Sequence, residues 1–411
     1  MKFLNQTVLK NFKGKICLLR VDLNIEKGES LRSSYRLQAV LPTIQSLLKN
    51  NISVIILSHR GRPKNKISIQ NLNEEKITKN LKINKDLSLK PFAKIISSQI
   101  KTPIYFFDIF SFLKIKKQIL TSKKPFVFLL ENLRFFKEEE ENDSTLARFL
   151  SNLGDFYVND AFAVSHRENA SITKICKYLP SYGGFLMEKE IKNLNQVMKN
   201  YEHPFTVILG GAKIKDKLGI LNYFQKKADY FLLGGGPANT LLKAKGVNVK
   251  KSLVDAEVAD QIKNYLSQKK IILPVDFKIK NFQILDIGQK TLLQYQAIIQ
   301  KSKTIIWNGP VGFFEKKGFE KGTFGIWEAI LKNKKAKIIV VGGGETITSL
   351  ALLVPTDYRR ITANTSQHKS ASNINANPRL FLSTGGGAML EYLSGKKLPG
   401  IKALDMSKSK Y

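Results

Sequence analysis

Four times in its second half the chain runs an apolar segment of strand length straight into glycines: VILGGAKIKDK, YFLLGGGPANT, IIVVGGGETIT and LFLSTGGGAML. In an α/β sheet the turn from strand to helix opens at the carboxyl edge of the strands. Glycine there lets the backbone approach a ligand, and the first helical N–H groups face an anion. One such turn is ordinary tight-turn chemistry, but four in one half point to a phosphate-binding edge. None has the P-loop GxxxxGK[ST] or dinucleotide G-x-G-x-x-G spacing, so neither of those phosphate-binding solutions is indicated.

Elsewhere short apolar runs alternate with amphipathic stretches, the pattern of strands feeding helices and returning to a parallel sheet. In the first half strands are expected at 16–22, 52–58, 104–107, 126–130 and 156–158, with helices at 35–49, 91–100 and 144–153. In the second half they are expected at 205–209, 230–233, 304–307 and 337–341. With 411 residues the chain exceeds one ordinary domain. The expected architecture is α/β, with two doubly wound parallel-sheet domains. GGFLMEKEIKNLNQVMKN, from Gly183 to Asn200, begins with paired glycines and runs long and amphipathic, so it reads as a connecting helix. The stretch from Thr362 to Pro378 is rich in Asn, Ser and Thr and reads as a surface loop or insert.

Charge needs its own account. Basic residues number 67 against 33 acidic, a net +34, yet only 11 of the 67 are Arg. Lys arrives with many Ile and Asn, and the three share A/T-rich codons, so compositional drift spreads Lys over solvated faces without selecting a partner. A nucleic-acid or anionic-membrane role would favour clustered basic stripes. The lysines are dispersed, and neither partner is expected. The arginines are not dispersed: eight lie from Arg20 to Arg167 and none between 168 and 358. Arg grips carboxylate and phosphate bidentately, so the first half reads as built for a small anion. Two cysteines, Cys17 and Cys176, cannot make a disulfide framework, and a reducing cytoplasm is expected. No stretch approaches the roughly 20 apolar residues of a membrane span, and the N-terminus lacks the apolar run of a signal peptide.

The ligand-like residues of the first half sit just past the expected strands: Arg20, Asp22 and Asn24 in RVDLN, His59 and Arg62 in SHRGRP, Arg134 in LLENLRFF, His166 and Arg167 in NDAFAVSHR, with Arg36 opening a helix. Strand ends of one parallel sheet converge on a common edge, where such a ring would hold a doubly charged small acid. In the second half Lys213 and Lys217, four apart after LGG, are expected on one helical face.

In order, RVDLN, SHRGRP, ENLRF, NDAF with HR, GGFLMEKE, LGGAKIKDK, LPVDF, IWNGPVGFFE, GGGET and STGGGA resemble phosphoglycerate kinase across nearly the whole chain. The resemblance implies domains facing a cleft, joined by a connecting helix and hinge-bending, with Gly183 and Gly184 as the hinge. It implies boundaries of 1–182, 183–200 and 201–395, and a tail at 396–411 packing back on the first domain. It implies a phosphotransferase of glycolysis acting between ATP and 3-phosphoglycerate with Mg2+, monomeric and cytoplasmic, with small-molecule substrates alone as partners. The acid would lie against Asp22, Leu23, Asn24, Arg36, His59, Arg60, Gly61, Arg62, Arg134 and Arg167. The nucleotide would lie against Gly211, Ala212, Lys217, Asn308, Glu315, Gly343, Gly344, Glu345 and Thr346. Arg36, Lys213, Lys217, Gly386 and Gly387 would surround the transferred group, and Glu345 would stand near the metal.

This chain departs from the family pattern at several points. Glu345 replaces the usual Asp of GGGDT, moving a carboxylate by about a bond length, which matters for a near-octahedral Mg2+. Arg60, Glu26, Ala163 and Gln289 also depart, and the 362–378 stretch is longer than the family connection. There His368 and Lys369, with Arg359, Arg360 and Arg379 nearby, form either an inert loop or a second anion-binding surface. The alternatives are a nucleic-acid-binding protein on the kinase scaffold and a catalytically weakened paralogue.

Overall fold

The computed structural model describes residues 1–25, 31–32, 34–69, 84–108, 112–353 and 378–407. Glu26, Arg359, Arg360, His368, Lys369 and the 362–378 stretch up to its last residue lie outside them. The chain divides into two compact units, Met1–Glu190 with the residues from Lys397 onward, and Ile191–Lys396. No helix among the described residues is long and apolar enough to cross a membrane.

In the first unit six parallel strands, β1 (Ile16–Arg20), β2 (Ser53–Leu57), β3 (Ile104–Phe107), β4 (Val127–Leu130), β5 (Phe156–Asn159) and β6 (Ser181–Gly183), lie in the order β3-β4-β2-β1-β5-β6. Alternate side chains leave opposite faces of a strand. Accordingly Cys17, Leu19, Val54, Ile56, Val127 and Leu129 join the core with helices Tyr35–Lys49 and Lys90–Ile100, while Leu18, Ile55, Leu57, Phe128 and Leu130 join the core with helix Ser144–Ser151. Both faces are covered, which is why these strands read as unbroken apolar runs. The C-terminal helix Pro399–Met406 sends Leu404 into the second of these cores, Gly400 N donates to Ser165 O (2.8 Å), and Asp405 meets the N-terminal ammonium at 2.6 Å.

The expected helix from Gly183 begins later. Gly183 closes β6, and the helix runs Phe185–Lys199. The glycines serve close packing here: an added Cβ would stand 2.7 Å from Phe3 at Gly183 and 2.3 Å from the Asp160 carboxylate at Gly184. That carboxylate accepts from Thr43 Oγ1 (2.6 Å) and Met187 N (3.0 Å), tying the start of the helix to β5 and to helix Tyr35–Lys49.

The second unit has β7 (Phe205–Leu209), β8 (Tyr230–Leu233), β9 (Ile271–Ile272), β10 (Phe277–Lys280), β11 (Gln283–Ile287), β12 (Thr304–Asn308), β13 (Ile338–Gly342) and β14 (Leu380–Ser383). Six are parallel in the order β14-β13-β12-β7-β8-β9, and β10 and β11 form a separate antiparallel hairpin. The hairpin has no counterpart in the sequence expectations. Its turn residues Asn281 and Phe282 take φ of 51° and 60°, conformations usually announced by Asn-Gly.

Candidate functional site

Each sheet brings its ligand-like residues to the carboxyl edge, around the place where strand order reverses, β1 against β5 in one unit and β7 against β12 in the other.

In the first unit Ser58, at the end of β2, accepts from Leu23 N (3.0 Å) and donates to Val21 O (2.8 Å), clamping RVDLN to the neighbouring strand. Leu23 is buried and contributes packing. Asp22 Oδ1 accepts from Asn24 N (2.9 Å), Asp22 Oδ2 is paired with Arg36, and Asn24 Oδ1 accepts from Gly61 N (2.7 Å). Burial works against the Asp22 charge, but Arg36, His59, the Asn24 N–H and Arg20 together bring its pKa down to about 2. Asp22 is ionised at neutral pH. His59 is 1% exposed, with Nε2 3.8 Å from Asp22 Oδ1. Burial pushes its pKa well below the ordinary value and Arg20, Arg134 and Arg167 add to this against Asp22, so the ring is neutral.

Arg134 is 3% exposed and donates from Nη1 to Gly61 O (2.8 Å), while its Nε has no hydrogen-bond partner among the described residues. Burial, with Arg167 and Arg20 close by, lowers its pKa to about 10, leaving it charged. Its Nε also faces Glu140 Oε1 at 3.7 Å, so this buried guanidinium stands between a carboxylate and two further arginines. Arg167 is half-buried with Nε 3.4 Å from His166 Nε2, and Arg62 is exposed. Arg60 is turned out of this group: its guanidinium lies 5.5 Å from the Phe92 ring centroid and its Nη1 donates to Ser88 O (3.3 Å).

Asn132 is a residue that sequence reasoning did not single out. Fully buried, it accepts from Arg60 N (3.2 Å) and Arg134 N (3.1 Å) and donates to Arg60 O (2.6 Å) and Leu87 O (3.0 Å). One amide thus fixes both the SHRGRP loop and the backbone of Arg134. The only sequence signal for it was its place just past β4.

In the second unit β7 and β12 approach so closely at their ends that a Cβ at Gly210 would stand 2.1 Å from Pro310 O. Gly211 leaves β7 at φ +78°, a left-handed conformation suited to glycine. The expectation for the two lysines is corrected here. Residues 213–217 do not form an α-helix; a 3-10 turn spans Lys215–Lys217 and the α-helix starts at Leu218. The i to i−4 bonding begins only with Leu218 N to Ile214 O (3.1 Å), so Lys213 lies before the first helical turn. Lys213 is exposed, whereas Lys217 is 7% exposed and a Cβ at Gly211 would lie 3.7 Å from its Nζ. Burial lowers the Lys217 pKa, opposed by Asp216 and Glu345.

Across the edge, Thr346 Oγ1 accepts from Gly309 N (2.9 Å), and a Cβ at Gly343 (φ +97°) would stand 3.3 Å from Asn308 Nδ2. These contacts gather Gly211, Lys217, Asn308, Gly343 and Thr346. Ala212, Glu315, Gly344 and Glu345 are exposed nearby in the chain, with Gly344 and Glu345 opening helix Gly344–Leu353. Gly386, at φ +50°, precedes the short helix Gly387–Leu393. Burial and the charge of Glu345 raise the pKa of Glu315. Two repelling carboxylates suit a hard cation with oxygen ligands. Among the described residues no group of three or more His, Cys, Asp or Glu is arranged to hold a metal by itself.

The family model described as phosphoglycerate kinase matches residues 7–396. A phosphoglycerate kinase from Finegoldia magna is 39% identical over 433 residues, covering 98% of this chain and 100% of that protein. One from Borrelia garinii subsp. bavariensis is 37% identical over 420 residues, covering 96% and 97%. Among solved structures, phosphoglycerate kinase from Coxiella burnetii aligns with a TM-score of 0.73 at 31% identity over 99% of this chain and 100% of that one. The enzyme from Pyrococcus horikoshii OT3 aligns with a TM-score of 0.77 at 30% identity over 98% of each.

Proposed function

The chain belongs to the phosphoglycerate kinase family, and from that premise we propose which of its residues hold each reactant. The activity is ATP/ADP-dependent phosphoryl transfer to and from phosphoglycerate. The acid binds at the carboxyl edge of the first sheet, against Asp22, Asn24, Arg36, His59, Gly61, Arg62, Arg134 and Arg167. One observation carries this assignment: a buried, charged Arg134 stands with Arg20 and Arg167 around the neutral ring of His59 at this edge. The nucleotide binds at the edge of the second sheet, against Gly211, Ala212, Lys217, Asn308, Glu315 and the turn at residues 343–346.

Transferring a phosphoryl group from ATP to a carboxylate gathers several negative charges at one place. The transition state needs cations and preorganised N–H donors more than a proton carrier, which agrees with a neutral His59. Arg36, Lys213, Lys217 and the N–H groups of Gly386 and Gly387 are the donors assigned to the transferred group. The reaction therefore requires the ligands held on separate units to come within attack distance with water excluded.

Magnesium is a hard cation that suits an oxygen ligand such as the Glu345 carboxylate. Glu345 would hold it, and the ion supplies charge neutralisation of the phosphates when bound. The test is a coupled assay of ATP consumption. Consumption that depends on added 3-phosphoglycerate is expected, and ATP turnover indifferent to that acid would sink the assignment. A nucleic-acid-binding role gains no support from the family or the neighbouring structures.

A further inference from the structure

Behind the acid site a fully buried carboxylate has a place that the reaction does not explain. Glu139 lies in the short helix Lys137–Glu140 that follows ENLRF. Its Oε1 accepts from Ser171 Oγ (2.6 Å) and Asn169 Nδ2 (3.4 Å), and its Oε2 accepts from Ser171 N (3.0 Å). Ser171 Oγ in turn accepts from Arg20 Nε (2.9 Å). Arg20 Nη1 donates to Val21 O, and Arg20 Nη2 lies 3.8 Å from Glu139 Oε1 and 3.2 Å from His59 Nδ1. Arg20 is 1% exposed, and its donors are engaged inside the protein. It is held as a scaffold piece and is not free to serve as a ligand.

The direction of the last link fixes a proton. A guanidinium has donors and no acceptor, so Arg20 Nη2 donates and His59 Nδ1 must accept with its lone pair. A neutral imidazole carries one proton, which is therefore on Nε2, the nitrogen 3.8 Å from Asp22. We infer that Glu139 is a positioning residue for the acid site: by anchoring Arg20 it locks His59 in the Nε2–H tautomer, so that the ring offers a neutral N–H donor to the bound acid.

The groups facing His59 are Arg20 and Asp22 from the end of β1, Arg134 beyond β4 and Arg167 beyond β5. Three are cations. With Glu139 neutralised, Arg20 would add an unpaired charge to Arg134 and Arg167 and lose its reason to stay behind the ring. The ring would then be free to exchange tautomers and to turn. The inference rests on the acid lying at His59, as proposed above.

The test uses the full chain with 15N-labelled histidine. Only four histidines are present, and His59→Gln assigns the signal. Long-range proton–nitrogen correlation distinguishes a protonated from a bare ring nitrogen. In the native chain Nε2 should be protonated and Nδ1 bare, unchanged from about pH 5.5 to 8, the range in which an ordinary histidine titrates. Glu139→Gln, which keeps an acceptor for Ser171 but removes the charge, should convert His59 to a mixture of its two neutral tautomers. It should also raise KM for 3-phosphoglycerate about tenfold with KM for ATP within about twofold. Ser171→Ala cuts the hydroxyl link while keeping the charge. It should move the same signals, and it carries the test if Glu139→Gln does not fold. A native ring protonated on Nδ1, or signals unmoved in both variants, overturns the inference. Shifted signals with an unchanged KM for the acid would leave the lock standing and refute the placement of the acid at His59.

Discussion

Lys217 illustrates how much a single residue is asked to tolerate. A buried ammonium loses its hydration, and the depressed pKa records that cost even though Asp216 and Glu345 offset part of it. If its charge serves the transferred phosphoryl group, Lys217→Met should lower kcat by about 10²–10³-fold. The same change should leave the thermal midpoint unchanged or higher, because the thioether side chain fills the space without the desolvation cost. Activity and melting measured on one preparation check both halves. Asp160 makes a prediction with a definite sign. Burial raises its pKa from 3.8 to about 6, so the folded state holds its proton more tightly than the unfolded state. Its contribution to stability is present below about pH 4 and is lost as pH rises through about 6. Urea unfolding should show native stability falling relative to Asp160→Asn between pH 4.5 and 7.5, by on the order of 2 kcal/mol. The difference across pH is the quantity to read, because Asn also loses one acceptor. A flat difference would rule out the raised carboxylate.

Among the turns, glycines of similar sequence context have different jobs. At Gly210 a methyl group would meet Pro310 O at 2.1 Å, forcing apart the ends of β7 and β12. Gly210→Ala should cost about 1–3 kcal/mol and weaken nucleotide binding with it. At Gly344 an added Cβ meets nothing within 4 Å, so Gly344→Ala should leave unfolding unchanged. A raised KM for ATP in that variant would mean the ligand itself approaches the backbone there, and an unchanged KM would remove Gly344 from the nucleotide site. The pair at 183 and 184 belongs with Gly210, since its neighbours Phe3 and Asp160 leave no room. A bulky residue at Gly184 should first destabilise the fold, so a turnover defect there is informative only beside an unfolding measurement.

For the molecule as a whole, the last helix is integral to the first unit. Leu404 is 2% exposed in a core whose other members come from the first 180 residues. Leu404→Ala should therefore cost about 2–5 kcal/mol in a urea unfolding transition, although Leu404 stands only seven residues before Tyr411. A loss below about 1 kcal/mol would show the helix to be loosely attached. The dispersed lysines have a modest role at this scale, since among the described residues most ion pairs they form are exposed, such as Lys263 with Asp260 and Lys332 with Glu328, and pairs of that kind contribute little.

The sequence by itself determined the parallel sheets, because strands buried on both faces must be continuously apolar and must end in turns that glycine or a small polar group can make. It also determined which charged residues reach a strand end: Asp22, His59, Arg134 and Lys217 were legible from their distance past an apolar run. Tertiary structure decided what each of those residues became. Thr43 and Asp160 are 117 positions apart, and Arg20 and Ser171 are 151 apart, so no local pattern could announce their bonds. The pairing of Glu139 with Ser171, the bracing of two loops by Asn132, and the turning of Arg60 onto Phe92 arise only when separate strand ends meet. The split of Lys213 from Lys217 has the same origin. Helical spacing puts the two lysines on one face, but the backbone takes a 3-10 turn at Lys215–Lys217 and the α-helix starts only at Leu218, which leaves Lys213 exposed and Lys217 buried.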